Sequence, residues 1–510
     1  MPETQAERAQ GAQGPGHREG LSERPGPGPV QDPSESAGEG RPSAPSFRQA
    51  LAFWWRLGFI SFGGPAGQIA LMHDEIVTRR RWLSEGRFLH ALNYCMLLPG
   101  PEAQQLATYL GWLMHRTWGG VAAGMLFVLP SLFILIALSW IYVRFGQLGP
   151  VAAVFWGLKP AVTALVLQAA WRMGARTLHH HLLRALALGA FLALAVWDLP
   201  FPWVVVIAAL CGWAGARRWP AAFQPQGQPA VASRYPSGPQ SPAESSASSH
   251  GEAGPPTQVV APRPQAWLDD HTPPPPHAGF SRRRLAWVVG MCAALWAAGM
   301  GLLWMLGGAQ GTYAQMAGFF TQAALVTFGG AYAVLPFVVQ GAVEQHGWLT
   351  TLQMMDGLAL GETTPGPLIM VVAFVGFLGG WQKEVLGPDA LFLAGVLGAC
   401  VATFFTFLPS FLFILAGGPL VEATRGRLGF TAPLTAITAA VVGVIASLAL
   451  FFVAHTFWPD GLQGRFDLAA AGLALAAAVA LIRFKVGTVK VLLACGLAGV
   501  LLRSVLSLGA

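Results

Sequence analysis

Long apolar stretches separated by short polar ones fill most of the chain, a pattern typical of a polytopic membrane protein. In the first half, apolar runs about as long as a bilayer core requires lie at about 49–72, 88–114, 120–143, 151–171, 183–197 and 201–216. One run follows at 286–306, and six more lie at about 314–338, 352–380, 390–416, 431–454, 467–482 and 487–502. The pattern predicts an all-α polytopic membrane fold with thirteen segments arranged six, one, six.

Two polar stretches lie outside these runs. Residues 1–46 are rich in Gly, Pro and Glu, and residues 217–284 are dense in Pro, Ser, Gly and Gln. Such composition predicts a disordered N-terminal tail and a disordered linker. The tail also lacks the apolar core of a secretory signal. We therefore divide the body into a first repeat at 47–216, an extra connecting helix at 285–306 and a second repeat at 307–510.

The same helix-interrupting motifs occur in both halves. Ser61-Phe62-Gly63-Gly64 matches Thr327-Phe328-Gly329-Gly330, and Pro99-Gly100-Pro101 matches Pro365-Gly366-Pro367, in each case 266 positions later. A register kept over this distance indicates a duplicated structural unit. Because seven segments precede the second repeat, the two repeats are predicted to have inverted topology, with Gly/Pro-broken helices at matching positions.

The basic residues predict the orientation of the chain. With thirteen spans, about twice as many Arg and Lys fall on the side of the N-terminus and linker, which is therefore predicted to be cytoplasmic. The triplet Arg79–Arg81 falls on the other side. If 49–77 and 88–115 are instead re-entrant hairpins folded back at their Gly/Pro breaks, the triplet returns to the cytoplasmic side and later parity is unchanged. The sequence leaves both topologies open.

The four breaks have a common chemistry. Proline cannot continue a helix from within but suits its first turn. Non-helical backbone at bilayer depth occurs only where it is buried in protein or lines a polar cavity. A fresh helix start presents unpaired N–H groups and partial positive charge, which favour an anion. Pro-kinked or Gly-packed helices without a binding role are the alternative for any single break, but four matched breaks favour an oxyanion site.

The strings around these breaks resemble a known family. SFGGPAGQIALMHDEIVTRRRWLSEGRF, followed by LPGPEAQQLA, resembles the amino-terminal signature of the chromate ion transporter family. TFGGAYAVLPFVV, then GWL and TTPGPLIM, resembles the second copy in its long-chain, two-domain members. The resemblance implies a multi-pass inner-membrane protein that exports chromate, confers chromate resistance and is driven by an electrochemical gradient. The sequence contains no Walker-type phosphate loop.

Chromate is a tetrahedral dianion, so its capture calls for N–H, hydroxyl and amide donors with one or two cations. Matching the family motifs residue by residue implies that the substrate-binding backbone comprises Gly63, Gly64, Pro65, Pro99, Gly100, Pro101, Gly329, Gly330, Pro365, Gly366 and Pro367. Neutral side chains that could donate to the anion are Ser61, Gln68, Gln104, Gln105, Thr363 and Thr364.

The charged residues near the breaks each have two interpretations. Arg56 lies within an apolar run, where a cation is costly and usually functional, or it snorkels to the interface. Arg79, Arg80 and Arg81 follow Asp74 and Glu75, and form an entry funnel for anions or a solvated helix end with i,i+4 pairs. The same two acids are candidates for ion coupling.

Two further acids flank the Pro-Gly-Pro turns. Glu102 directly follows the first turn, and Glu362 shortly precedes the second. Either could take up a proton in a coupled transport cycle. Glu102 could instead complement the partial charge of its helix start.

Other classes of function find less support. An intramembrane enzyme needs a nucleophile with its base, a metal set or a flavin motif, and none occurs at recognisable spacing; the five cysteines are isolated. We expect no cofactor and no metal. The net charge of +7 reflects orientation rather than nucleic-acid binding. An uncoupled channel or a sulfate-type oxyanion carrier remains the main alternative, and the sequence leaves open whether the protein forms a homodimer in the lipid bilayer.

Overall fold

A computed structural model describes residues 42–223, 265–270, 272–423, 431–461 and 463–508. These residues form sixteen α-helices and no β-strand. Five helices are long and apolar enough to cross a membrane, so the predicted all-α polytopic membrane fold is confirmed. Most of the predicted tail (1–41) and of the predicted linker (224–264) lies outside the described residues.

The first half contains seven α-helices. They are α1 (Phe47–Ile60), α2 (Gly64–His73), α3 (Glu85–Leu97), α4 (Glu102–Phe145), α5 (Gly149–Thr177), α6 (His181–Ala195) and α7 (Phe201–Arg218). A π-helical turn, Asp74–Arg79, extends α2. α8 (Arg282–Gly307) follows the linker.

The second half contains eight α-helices. They are α9 (Thr312–Val326), α10 (Ala331–Val339), α11 (Thr351–Thr363), α12 (Val371–Gln382), α13 (Leu391–Ala423), α14 (Thr431–Phe457), α15 (Leu468–Ile482) and α16 (Thr488–Leu508). A second π-helical turn, Gln340–Gln345, extends α10, 266 positions after the first. The duplication seen in the sequence therefore extends to the local helix geometry.

The first break turns the chain back on itself. α1 ends at Ile60 because the Phe62-Gly63-Gly64 backbone leaves the helical conformation, and α2 restarts at Gly64 with Pro65 in its first turn. The guanidinium of Arg80, beyond the end of α2, lies 5.2 Å from the ring of Phe53 in the middle of α1. Two helices continuing in one direction would separate these residues by about 40 Å. The 47–80 segment is therefore a helical hairpin.

The second hairpin ends at a reversal of the chain within α4. His115 and Arg116 leave the helical conformation, and Arg116 has φ +58°. Small residues then allow the two parts of α4 to run side by side, since a Cβ at Gly119 would lie 2.3 Å from the carbonyl oxygen of Gly111. The His115 ring nitrogen lies 2.9 Å from Pro45 O at the start of α1. Residues 85–115 thus return to the side from which α1 begins.

The second half folds in the same way. His346, beyond α10, lies with its ring 5.9 Å from that of Phe319 in the middle of α9. α12 and α13 pack side by side after the 383–390 turn, where a Cβ at Gly376 would lie 2.3 Å from Gly398 O. Of the two topologies that the sequence left open, these contacts match the re-entrant one.

Each half of the chain contains a pair of hairpins. We call the end of each pair that lies away from the Gly/Pro breaks its tip. The tips of the two pairs lie near opposite ends of α8. On the first-half side, His277, close before α8, lies 2.9 Å from Trp112 O. On the second-half side, Tyr313 near the start of α9, which follows α8, donates to Ala394 O at the start of α13 (2.8 Å). The remaining helices pack in a bundle through small residues; for example, α6 touches α14 closely at Gly443, where a Cβ would lie 1.9 Å from Ala187 O.

The end of the predicted linker is structured, which differs from the expected disorder through residue 284. Leu268 pairs with Leu83 in an isolated parallel bridge, and Ser84 Oγ donates to Asp270 Oδ1 (2.7 Å). The buried side chain of Arg87 donates to the carbonyl oxygens of Asp269 (2.8 Å) and Thr272. We call the described residues 265–270 and 272–281 the strap, because they bind the tip of the first-half hairpins.

Candidate functional site

Each Pro-Gly-Pro turn is hydrogen-bonded to the Gly-Gly break of the other half. Gly100 N donates to Thr327 O (2.8 Å), and Gly366 N donates to Ser61 O (2.9 Å). The donors are equivalent residues of the two repeats, and so are the acceptors. The bonds are therefore reciprocal, and they join the four breaks of the chain into two crossed pairs. The repeat of 266 positions in the sequence did not reveal which breaks are bonded to each other.

The turns require glycine for conformational reasons. Gly100 and Gly366 have φ values of +124° and +98°, which side-chain-bearing residues rarely adopt. Space is also restricted: a Cβ at Gly366 would lie 2.9 Å from Ser131 Cβ, and one at Gly100 would lie 2.6 Å from both Gln105 Nε2 and Ser410 Oγ. Both glycines, with Pro101, Pro365 and Pro367, are buried, and Pro99 is half-buried.

Two glutamines hold the turns in place. Gln68 Nε2 donates to Gly366 O (2.5 Å) and to Ser61 O (3.3 Å), and so bridges the second turn and the first break. Gln105 Nε2 donates to Pro99 O (2.7 Å) within the first turn. Gln104 is also buried, but its amide nitrogen donates to Thr108 Oγ1 (3.0 Å) on its own helix. The side chains of Gln68 and Gln105 therefore hold backbone carbonyl groups in place.

The predicted hydroxyl donors are bonded within their own helices. Ser61 Oγ donates to Leu57 O (2.6 Å), Thr363 Oγ1 to Leu360 O (2.8 Å) and Thr364 Oγ1 to Gly361 O (2.9 Å). Each bond satisfies a carbonyl near the C-terminal end of a helix. In this arrangement these three hydroxyls close the helix ends.

Two serines that we did not select among the site residues lie directly against the turns. Ser131 and Ser410 are fully buried, and their hydroxyls make no hydrogen bond to a described residue. Ser131 faces Gly366 and Ser410 faces Gly100, so they repeat the symmetry of the crossed pairs. A buried hydroxyl without a partner is costly unless a ligand or water uses it. The signal was present in the sequence, because Leu129-Pro130-Ser131 recurs as Leu408-Pro409-Ser410.

The first break is the more open of the two. Phe62 and Gly63 are exposed, Gly64 and Pro65 are half-buried, and a Cβ at Gly63 or Gly64 would meet no described atom within 4 Å. The backbone there starts α2, whose first N–H groups point toward the break. This helix start can accept an anion without displacing packed side chains.

The second break is closed in and acidic. A Cβ at Gly329 would lie 3.8 Å from side chains of α5 and α14, and one at Gly330 would lie 3.6 Å from Glu102 Oε1. Tyr332, in the first turn of α10, donates to the buried carboxylate of Glu362. Two of the four candidate coupling acids, Glu102 and Glu362, therefore both lie at the start of α10, although one comes from each half of the chain; Asp74 and Glu75 do not lie there.

The charged residues of the first-half tip pair with one another. Arg79 contacts Asp74 (2.9 Å) and Glu75 (3.0 Å), and Arg80 contacts Glu75 (3.2 Å). These pairs match the interpretation of a solvated helix end, and they lie at the tip of the hairpin rather than at the turns. Arg81 is exposed there, and its carbonyl accepts from Trp267 N of the strap.

Two other cations lie on helix surfaces near the breaks. Arg56 is exposed on α1, one turn before the first break, and Arg172 is exposed on α5 next to Met173. Arg172 is close enough for its charge to act on Tyr332. We did not select Arg172 from the sequence, because it lies near the end of an apolar run where basic residues are common.

Outside the membrane-spanning segments, burial changes the pKa of His277, the strap residue that contacts Trp112 O. Its burial, with a smaller effect from Arg116 and Arg284, lowers the pKa of His277 below its ordinary value. The neutral form of His277 is therefore favoured where the strap joins the α4 reversal.

In comparison with known proteins, one protein-family model matches both halves of the chain. The family model described as "Chromate transporter" matches residues 48–213 and 314–500. A chromate transport protein of Pseudomonas aeruginosa is 31% identical over 473 residues, covering 91% of this chain and 95% of that protein. One of Cupriavidus metallidurans is 27% identical over 458 residues, covering 89% and 93%. No solved structure matches the chain.

Proposed function

The chain belongs to the chromate transporter family, and from this premise we propose that it is a secondary transporter that exports chromate across the inner membrane. The relatives that it matches over most of its length are named chromate transport proteins. The observation that supports a transport site best is the reciprocal pair of hydrogen bonds from Gly100 to Thr327 and from Gly366 to Ser61. They hold four interrupted helices together.

We propose that the dianion binds at the first break and the adjoining second turn. Donors there are the N–H groups at the start of α2, around Gly64, and the hydroxyl of Ser131. The first break has room for a ligand, and the partial positive charge of a helix start favours an anion. Backbone dipoles suit chromate because they leave no excess positive charge in the membrane when the site is empty.

We propose that the second break couples transport to protons. Glu102 Oε1 would lie 3.6 Å from a Cβ at Gly330, and Glu362 accepts a hydrogen bond from Tyr332, so each carboxyl group lies at the start of α10, where it could take up a proton. For export driven by proton entry, protons and chromate must be carried in opposite directions, so the pair is expected to be protonated in the half of the cycle in which the anion site is empty. Proton uptake and release at this pair would therefore bias the affinity for chromate.

The hairpin tips support an inverted arrangement of the repeats. Tips of the first-half hairpins lie near the start of α8, and tips of the second-half hairpins lie near the helices that follow its end. If α8 crosses the membrane once, the two pairs of hairpins open to opposite sides. We propose that the N-terminus and linker are cytoplasmic; with re-entrant hairpins, Arg79–Arg81 then also lies on the cytoplasmic side, as the basic-residue bias favours.

Transport into everted vesicles tests this proposal. The expected result is chromate accumulation that depends on the proton gradient, and its loss in Gly100→Leu and Gly366→Leu variants that still insert. A helical glycine with open space and ordinary φ, Gly189, provides the control as Gly189→Leu. Passive equilibration would indicate a channel, reduction of Cr(VI) without uptake would indicate an enzyme, and normal accumulation by both turn variants would contradict the proposed site.

A further inference from the structure

A buried ion pair lies within the helices, away from the crossed turns. Lys159 Nζ of α5 lies 3.8 Å from Asp356 Oδ1 of α11, and Tyr142 of α4 donates to Asp356 Oδ2 (2.9 Å). The Lys159 side chain is 20% exposed and that of Asp356 is 6% exposed. Three helices from both halves of the chain thus converge on one carboxylate.

The pair is largely shielded from solvent and is not an exposed surface ion pair. Lys159 lies roughly 15 Å along the axis from the start of α5 at Gly149, in a helix long and apolar enough to span the membrane. An ionisable residue in such a position is costly and is usually functional. Breaking a buried pair by removing one charge costs several kcal/mol, whereas replacing both charges by apolar residues is often neutral. A purely structural pair would therefore tolerate joint replacement.

The carboxylate retains unused binding capacity. Asp356 Oδ1 makes no hydrogen bond to a described residue, because Lys159 is beyond hydrogen-bonding distance. The groups whose charge or hydrogen bond acts on Asp356 are Lys159 and Tyr142. Among the other helices that contact α11, α12 has no titratable side chain, α14 carries His455, and α16 carries Lys490, Cys495 and Arg503. Oδ1 can thus accept a proton without first losing a hydrogen bond.

The position of Asp356 links it to the proposed transport site. It lies on α11 between the second-half tip and the second Pro-Gly-Pro turn, about 9 Å along the axis from Glu362. α11 is the helix that ends in the turn, so a change in the charge of Asp356 acts on the element that carries Glu362 and Gly366. Protonation would weaken the attraction between α11 and α5 that the ion pair provides.

We infer that Asp356, held by Lys159 and Tyr142, is a proton-binding site of the transport cycle, separate from the proposed anion site at the first break and the second turn. The ligand is a single proton, taken up at Oδ1 from the side of the second-half tips and released in the return step. No other bond forms or breaks. The inference rests on the proposed chromate transport, and it predicts that coupling can be lost while binding and translocation of the anion persist.

The test compares net transport with exchange in proteoliposomes. Proton-gradient-driven accumulation of chromate requires proton binding and release, whereas exchange of labelled for unlabelled chromate requires neither. For Asp356→Asn we expect accumulation to fall at least ~5-fold, the lower end of typical coupling between sites, with exchange within about 2-fold of the wild type. Asp356→Glu keeps a carboxylate and should retain both activities.

Joint replacement separates a proton site from a structural pair. Lys159→Met with Asp356→Leu removes both charges, so the helices can still pack and the protein should insert even if Asp356→Asn alone misfolds. We expect this double variant to exchange chromate without accumulating it. Accumulation at the wild-type level, or equal loss of exchange and accumulation in a double variant that elutes as the wild type does, would overturn the inference. Failure of the wild type itself to move chromate would instead refute the proposed function.

Discussion

The conformation of Gly366 allows a quantitative test of the crossed turns. In Gly366→Ala the new Cβ meets Ser131 Cβ at 2.9 Å, Ser131 Oγ at 3.2 Å and Phe127 O at 3.4 Å, at a φ of +98°. The unfavourable φ costs about 1–3 kcal/mol, and overpacking costs about 1–3 kcal/mol more. The turn can escape this strain only by moving away from Ser131, which breaks the hydrogen bond from Gly366 N to Ser61 O.

The expected loss is large and partly reversible. A cost of about 3 kcal/mol corresponds to roughly a 100-fold loss of the crossed conformation, and we expect a comparable fall in the initial rate of chromate uptake per inserted protein. Adding Ser131→Gly removes the nearest two atoms but leaves the unfavourable φ. Because Ser131 is also a proposed donor to the anion, the Ser131→Gly single variant measures the loss of that donor. In the double-mutant cycle, uptake by the double variant should exceed by about 10-fold the value expected if the two losses were independent.

Two comparisons make the reasoning refutable. Gly100→Ala should be milder than Gly366→Ala, because its nearest atoms are the ends of the Gln105 and Ser410 side chains, which can rotate away. Gly189→Ala, in open space within α6, should transport like the wild type. Wild-type uptake by Gly366→Ala, or independent losses for Gly366→Ala and Ser131→Gly in the double-mutant cycle, would refute the steric argument.

Three further predictions concern residues around the turns. Gln68→Leu loses two hydrogen bonds to backbone carbonyls at about 1 kcal/mol each, so uptake should fall about 30-fold, and unchanged uptake would contradict its positioning role. Arg79→Gln should change the KM for chromate by less than about 2-fold, because its side chain is 65% exposed and exposed pairs contribute little; a larger rise in KM would instead support an entry funnel. Arg87→Ala removes the bonds that hold the strap, so limited proteolysis should cut within 265–281 in the variant and spare the wild type.

Local sequence rules predicted where the helices stop but not which way they run. All four breaks fall where Gly and Pro placed them, since α1 ends at Ile60, α3 at Leu97, α9 at Val326 and α11 at Thr363. These rules depend only on backbone conformation and a missing N–H. The direction after each break depends on contacts between distant residues, which no local pattern records.

The reversal at His115 illustrates the limit. The apolar runs at 88–114 and 120–143 were separated correctly. The residues at the turn between them, His115 and Arg116, are neither proline nor glycine. The close approach of Gly111 and Gly119 stabilises the reversal, and small residues at this spacing also occur in ordinary membrane helix contacts. The crossed bonds were beyond prediction for the same reason, because they join backbone atoms more than two hundred positions apart.

The repeats share a frame but differ in chemistry, and this difference carries the proposed coupling. The positions equivalent to Glu102, Glu362 and Tyr332 in the other half are Leu368, Met96 and Ala66. Both acids and the tyrosine therefore gather at the second break, while Gln68 and Gly366, which hydrogen-bond to the first break, are neutral. Two identical sites would each have to bind a dianion and a proton, which demand opposite local charge. A duplicated frame with acids at only one break would let a single conformational change act on an anion at one break and on protons at the other, as we propose.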